Sequence, residues 1–405
     1  MTPTKTARPA PTDEAPRIRT EEMVLNMGPQ HPSTHGVLQL ILHLDGETVV
    51  DVEPVVGYLH RGKEKHSEHM TYLQFYSMVN RLDYLASLSN ELGWSMAIEK
   101  LCGIEVPKRA RYLRVIVAEL SRTMAHLIYI ACCALDLGAG TVFFYGFRGR
   151  EQVYDLLDSF TGLRMNNEYM RFGGVSADIP DKTRAEILEF CDSLEKTLDD
   201  IEHLLTGNRI WHDRNKGIGI VSAPDAIALG LTGPNLRASG VEWDLRKTMP
   251  YCDYQDFEFD VPIGKTGDCW DRYLVRMEEM RQSLKIVRQA VGNLPPGEFL
   301  AHEAKMILPP KARVFSSMEE LIHQFKIVTD FRPPAGEVYV PMEAPKGELG
   351  FFVVSRGENK PYRTKIRSPS FVNLQAVRPM CRGVLISDVI AVISSLDFVL
   401  GEVDR

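Results

Sequence analysis

Two acids and a phenol stand where the surrounding sequence is apolar. Asp136 closes a nearly charge-free helix, and Asp83 sits beside Tyr84 in what reads as another apolar helix. A carboxylate in such a setting must find a partner or take up a proton. Paired with a histidine, it raises the imidazole pKa, and the pair can then hold or deliver protons near neutral pH. The plainer roles are a helix-end cap or a structural ion pair. Tyr84 offers a hydroxyl on an apolar body, suited to a carbonyl in a greasy pocket. On its own, such a tyrosine equally fits a core position.

Other constellations carry less. His31 and His35 lie four apart, with His60, His66 and His69 following, so a zinc site is conceivable. Pro32 breaks the helix that would put the first two on one face, and no H-E-x-x-H is present. The stretch Lys63 to His69 reads more simply as a solvated, charged helix start. Gly264-Lys265-Thr266 looks like the end of a phosphate-binding loop, but Phe259 stands where that loop needs glycine. The seven cysteines include no C-x-x-C pair. Disulfides are not expected, and any iron–sulfur cluster would belong to a partner.

These residues need a scaffold. Leu38, Leu40, Leu42 and Leu44 alternate along one face of a strand, Asp45-Gly46 turns, and Thr48 to Val56 returns as a hairpin. Before it, the loop Gly28 to Gly36 carries two prolines and glycines that forbid regular structure. Helical spacing then dominates: Leu82, Leu85, Leu88, Leu92 and Met96 recur up to Cys102-Gly103. Pro107 opens a long helix through Leu137, and Thr141–Thr161, Asp181–Thr206 and Asp268–Val291 follow, with Tyr72–Met78 ahead of them. Later come a helix over Ser317–Thr329, strands at Glu337–Val340, Leu349–Ser355 and Tyr362–Ile366, and a last apolar helix, Ile386–Leu396. The expected fold is α+β, mainly α. Residues 1–20 form a disordered lead, 21–62 a β-hairpin region, 63–308 a helical bundle covered by the irregular segment 207–267, and 309–405 a C-terminal α/β region.

Composition bounds the function. A net charge of −7 and a pI near 5.9 argue against a nucleic-acid footprint. The most apolar run, Thr123 to Leu135, is 13 residues and contains His126, too short to span a bilayer. Met1 to Arg17 lacks the apolar core of a signal peptide.

Eight strings occur in order: Gly28-Pro29-Gln30-His31-Pro32-Ser33-Thr34-His35-Gly36, Gly57-Tyr58-Leu59-His60-Arg61-Gly62, Arg81-Leu82-Asp83-Tyr84, Glu119-Leu120-Ser121-Arg122, Leu135-Asp136-Leu137-Gly138-Ala139, Leu236-Arg237-Ala238-Ser239-Gly240, Pro369-Ser370-Phe371 and Ser395-Leu396-Asp397. Together they resemble the D subunits of bacterial NADH-quinone oxidoreductase (respiratory complex I), homologues of the nickel–iron hydrogenase large subunit, from about Glu21 to Arg405. Hydrogenases bind nickel through two C-x-x-C pairs. Here those places fall on Asp83 and Ala86, and on Val399 and Glu402, so thiolate ligation is lost. The resemblance implies that the old metal cavity has become the head-group end of a quinone chamber.

It also implies roles. His35 and Tyr84 hydrogen-bond the quinone carbonyls, and Asp136 partners His35. Arg61 and Arg171 lie near the terminal iron–sulfur cluster, which the neighbouring B subunit carries. Partners include the B and C subunits of the peripheral arm and the membrane-embedded H subunit. The chain binds no cofactor alone, FMN and iron–sulfur clusters residing in partner subunits. The complex is a proton-translocating translocase, and this chain is peripheral, on the cytoplasmic side of the cell membrane. Two departures appear. Asn166 replaces a histidine common after Arg-Met, which hints at a low-potential quinone such as menaquinone. Phe398 stands where proline commonly follows Asp397. The nearest rival is an orphan hydrogenase-like subunit of another membrane-associated redox complex; a ligand-free scaffold and a zinc hydrolase stand further off.

Overall fold

The computed structural model describes residues 22–301 and 306–405, so the lead expected over Met1–Arg17 lies outside the described residues. A three-stranded antiparallel sheet opens it: β1 (Glu22–Met27), β2 (Gln39–Asp45) and β3 (Thr48–Val55), in that order. Leu38, Leu40, Leu42 and Leu44 all turn inward and are fully buried, as their alternation requires. The strand pairing adds β1 to the expected hairpin, with Met27 opposite Leu40. The loop between β1 and β2 contains only a single 3-10 turn, Pro32–Thr34.

Two short helices, α1 (Lys63–Ser67) and α2 (Tyr76–Val79), lead into α3 (Ser87–Cys102). The expected helix over Leu82–Met96 therefore starts late. Arg81–Ala86 is a turn, and Asp83 and Tyr84 are not helical. Local polar bonds compete with the helix there: the Asp83 carboxylate accepts the Leu85 N–H at 3.1 Å, and Asn90 donates to the Asp83 carbonyl at 2.9 Å. Likewise Tyr72–Met78 gives only the single turn of α2.

The bundle follows the sequence closely: α4 (Lys108–Asp136), α5 (Gly140–Thr161) and α6 (Asp181–Leu205). The two-residue strands β4 (Met170–Arg171) and β5 (Gly174–Val175) form a small hairpin between α5 and α6. Short helices α7 (Arg209–Asn215), α8 (Ala223–Ala228), α9 (Pro234–Ala238) and α10 (Leu245–Thr248) break the segment expected to be irregular, before α11 (Cys269–Gly292). α4 lies against α3, α5 and α11. By length and composition it could cross a membrane, but 89% of its apolar stretch is buried inside the protein. It is a core helix.

The C-terminal region holds α12 (Lys311–Val314), α13 (Met318–Asp330) and the antiparallel sheet β6 (Gly336–Ala344), β7 (Gly347–Ser355), β8 (Arg363–Arg367). Helices α14 (Pro369–Leu374), α15 (Val377–Cys381), α16 (Ile386–Leu396) and α17 (Leu400–Val403) complete it. The β6–β7 turn is fixed by a close approach. Gly347 has φ +131°, and a Cβ on Gly233 would lie 2.4 Å from its Cα, so neither position accepts a side chain.

Two apolar cores result. One joins α3–α6, α11 and the β6–β8 sheet. The other joins the N-terminal sheet to α14–α16. They are stitched by polar ties, among them Arg276 on α11, which donates to the Ser395 carbonyl on α16 at 2.9 Å. Within the second core, the Asp404 carboxylate accepts the N–H groups of Gly57 (2.9 Å) and Leu59 (2.7 Å) and holds the loop after β3.

Candidate functional cleft at the seam of the two cores

A cleft of about 180 Å³ lies where the cores meet. Tyr129 and Ile128 from α4 line one side, Ile393 and Ser394 from α16 another, with His35, Tyr84 and Phe398 closing it. The lining is apolar but for a few convergent polar groups, which is the composition of a small-molecule site. Its volume is below the roughly 300–1,000 Å³ of drug-sized pockets, so it suits a compact head group and not a long tail.

His35 ends the 3-10 turn in the left-handed region, φ 50°. A non-glycine residue held there is strained and marks a constrained position. Its Nε2 lies 3.0 Å from Asp136 Oδ2 and 3.0 Å from Ser394 Oγ. The Ser394 hydroxyl donates to Asp136 at 2.6 Å. With that hydrogen committed, Nε2 approaches both oxygens as an N–H donor. Asp136 is thus more than a helix-end cap, since it ties the loop, α4 and α16 together. His35 also meets the edge of Phe398, ring centroids 6.3 Å apart.

Tyr84 lies on the same cleft and is partly exposed. Burial pushes its phenol above the ordinary range, and the neighbouring Asp83 charge adds to this. Asp83 does not line the cleft. It is buried behind Tyr84 with Lys346 and Glu402, exposed by 2%, 1% and 1% respectively, next to Asp397, which does line the cleft. Lys346 Nζ lies 3.0 Å from Asp397 and 3.8 Å from Asp83. Burial works against the lysine's charge, but Asp397 and Asp83 outweigh it and hold the amine above its usual value. Burial raises Asp83, with Lys346 opposing.

The other expected residues fall elsewhere. Arg61, Arg171 and Asn166 are not among those lining the cleft. Arg61 is exposed, beside the loop that Asp404 holds. Arg171 sits on β4, and its carbonyl is taken by Arg114 at 2.9 Å. Asn166 adopts φ 51°, a conformation that asparagine tolerates better than most residues. The histidines do not converge. His60 Nδ1 bonds the Asp404 carbonyl, while His31 Nδ1 accepts the Ser33 N–H. Among the described residues no three His, Cys, Asp or Glu side chains gather as metal ligands. Lys63, expected in a solvated helix start, is instead 1% exposed, with its amine on the carbonyls of Arg81 and Gly401.

Sequence reasoning missed Ser394 and Lys346. Ser394 immediately precedes the string Ser395-Leu396-Asp397, and that adjacency is the only signal it carries. A lysine in a β-turn gives none.

Comparison with known proteins decides the family. Residues 136–405 match the family described as respiratory-chain NADH dehydrogenase, 49 Kd subunit. The NADH-quinone oxidoreductase D subunit of Geotalea uraniireducens is 55% identical over 387 residues, covering 95% of this chain and 99% of that protein. The D subunit of Geobacter sulfurreducens is 52% identical, covering 95% of this chain and 99% of that protein. One from Opitutus terrae is also 52% identical, covering 98% of this chain and 94% of that protein.

The chain belongs to the family of NADH-quinone oxidoreductase D subunits.

The similarity to these relatives runs through nearly the whole chain, although the family match itself begins at Asp136, the residue that tethers His35. The α+β, mainly α architecture is that expected for the family.

Proposed function

We propose that this chain, a subunit of NADH-quinone oxidoreductase, holds the quinone head group in the cleft between His35 and Tyr84. The observation that carries the reading is that His35 and Ser394, both tied to Asp136, line one small apolar-walled cleft with the Tyr84 phenol. Two-electron reduction of a quinone builds negative charge on its oxygens. Donors aimed at those oxygens in a dry pocket stabilise that charge most. Asp136 and Ser394 position the His35 ring beside one oxygen, and the Tyr84 hydroxyl serves the other.

Electrons arrive from the cluster-bearing B subunit, with Arg61, Arg171 and Asn166 on the side that meets it, and with NADH, FMN and the clusters handled by other subunits. The B and C subunits and the membrane-embedded H subunit are the partners, and the chain is peripheral on the cytoplasmic face of a proton-translocating complex. In this reading residues 21–62 deliver the His35 loop, 63–308 the bundle wall and 309–405 the α16 wall. Menaquinone is the favoured substrate.

His35→Ala or Tyr84→Phe is expected to lower NADH:quinone reduction at least about tenfold, the scale of losing a positioned proton donor. NADH oxidation by artificial acceptors should be kept. Equal loss of both activities in the purified complex contradicts the assignment.

A further inference from the structure

We propose that Glu402 carries a proton at neutral pH and, through Asp83, returns it to the Tyr84 hydroxyl once that hydroxyl has protonated the reduced quinone. The inference rests on the quinone reading of the cleft and adds the internal proton source for it.

The geometry brings the three groups together. The Lys63 amine clamps two strands of chain, donating to the carbonyls of Arg81 and of Gly401 (2.8 Å). Gly401 lies so close that a Cβ there would meet the Leu82 carbonyl at 2.8 Å and the Tyr84 ring at 3.4 Å. The segment carrying Asp83 and Tyr84 is thereby held beside the segment carrying Glu402, near enough for the Asp83 charge to act on Glu402.

Charge is short on this patch. Lys346 serves Asp397 and, at longer range, Asp83, and only weakly favours a charge on Glu402, which burial and Asp83 outweigh. Arg276 reaches only Asp397, at 4.0 Å. Lys63 spends its hydrogens on carbonyls; Glu402 and Asp404 favour its charge, while burial, Arg61 and Arg81 oppose it. Arg150 favours the Asp83 charge from a distance, its own guanidinium engaged with Tyr154 and the Met124 carbonyl. Among the described residues no cation comes within 4.0 Å of Glu402, whose Oε2 takes the Ser370 hydroxyl and the Ser370 N–H (3.3 Å). A carboxylate so buried and so unaccompanied is costly when ionised. Consistent with this, burial and the Asp83 charge push Glu402 up to about 7.

The step balances. Two electrons reach the quinone from the partner's iron–sulfur cluster. The Tyr84 O–H bond breaks as the quinone O–H bond forms. The tyrosinate then takes the proton held by the Asp83–Glu402 pair, and the ionised pair is refilled from solvent. A tyrosinate beside the Asp83 carboxylate in a dry wall is disfavoured, so the return is downhill.

The test uses the intact purified complex, as wild type, Glu402→Gln, Glu402→Asp and Ser370→Ala. Infrared difference spectra across a pH titration should show the C=O band of a protonated carboxyl titrating near neutrality. The band should be absent in Glu402→Gln, retained in Glu402→Asp and shifted in Ser370→Ala, which also serves if Glu402→Gln fails to assemble. Quinone reduction in Glu402→Gln should fall about tenfold or more at and below neutral pH, where the native side chain holds its proton, with a larger solvent isotope effect, and Glu402→Asp should restore the native profile. An unchanged band in Glu402→Gln and Ser370→Ala, or a native pH profile and isotope effect, overturns the relay. Binding of a short-chain quinone analogue, measured in parallel, separates the two failures. If wild type binds the analogue and the relay signatures are missing, the relay alone is wrong. If wild type does not bind it, the quinone reading is wrong.

Discussion

A single imidazole nitrogen, His35 Nε2, answers to two oxygens contributed by chain segments 101 and 359 residues away (136 − 35 and 394 − 35). Such a partnership cannot be read from local spacing. The sequence marks Asp136 as a carboxylate needing a partner, but only family resemblance points to His35, and Ser394 has no local signature of its own. Asn166 poses a sharper question. Its left-handed φ suits asparagine, and its amide cannot become cationic as a histidine can. Asn166→His is therefore expected to raise the potential of the partner's terminal cluster and make it fall with pH. Redox titration by electron paramagnetic resonance of the assembled complex checks this, and an unchanged potential refutes the link between position 166 and the cluster.

Long periodic elements are the most legible. α4, α5, α6 and α11 start and stop within a residue or two of their sequence signals, because a wide apolar stripe and Pro or Gly punctuation suffice to specify them. The apolar spacing that suggests a helix from Leu82 misleads, since a local polar bond to Asp83 and a tertiary one to Arg81 outcompete one helical turn. The elements are also fastened by pairs that periodicity does not reveal. Arg114 on α4 bonds Glu99 on α3 at 2.5 Å and reaches the carbonyls of Arg171 and Gly174, while Glu99 accepts the Gly173 N–H at 2.7 Å. This buried pair fixes the β4–β5 hairpin that carries Arg171. Glu99→Ala leaves a guanidinium stranded and should cost about 3–5 kcal/mol. Thermal dissociation of the complex should reveal that loss, with the hairpin newly open to protease; a native melting curve would sink the argument.

At the scale of the molecule, the bundle is centred on charge. Arg122, Arg237 and Arg246 meet Glu119, Asp244, Glu279 and Glu343, all essentially without solvent contact, and His126 donates its ring N–H to Glu279 at 3.2 Å. None of this is visible in hydropathy, which scores these helices as simply less apolar. Burial opposes ionisation of Glu119, yet Arg122 and Arg246 prevail and hold it low; Asp244 is held near 2 and Glu279 well down for the same reason. Their contribution is present above the unfolded values of 4.5 and 3.8 and is lost as pH falls through the folded ones. Burial depresses His126 below 6.5, so its share fades earlier, as pH drops beneath that value. Glu343, pushed up by burial and Asp244, runs the opposite way, losing stability as pH rises above 4.5. The melting temperature of this chain in the complex should therefore fall in two stages on acidification, first below about 6.5 and again below about 4.5. High salt should not reproduce either stage, because buried pairs are weakly screened. Melting curves at stepped pH and ionic strength decide it.

The face-to-face meeting of Gly233 and Gly347 sets a limit on how this site can be remodelled. Lys346 is aimed by a turn with no room for even a methyl group, so anyone wishing to retune the cleft by directed evolution has no gradual route there. Phe398, buried with its ring edge-on to His35, is the place where exchanging one ring for another reshapes the cleft without adding or removing a charge.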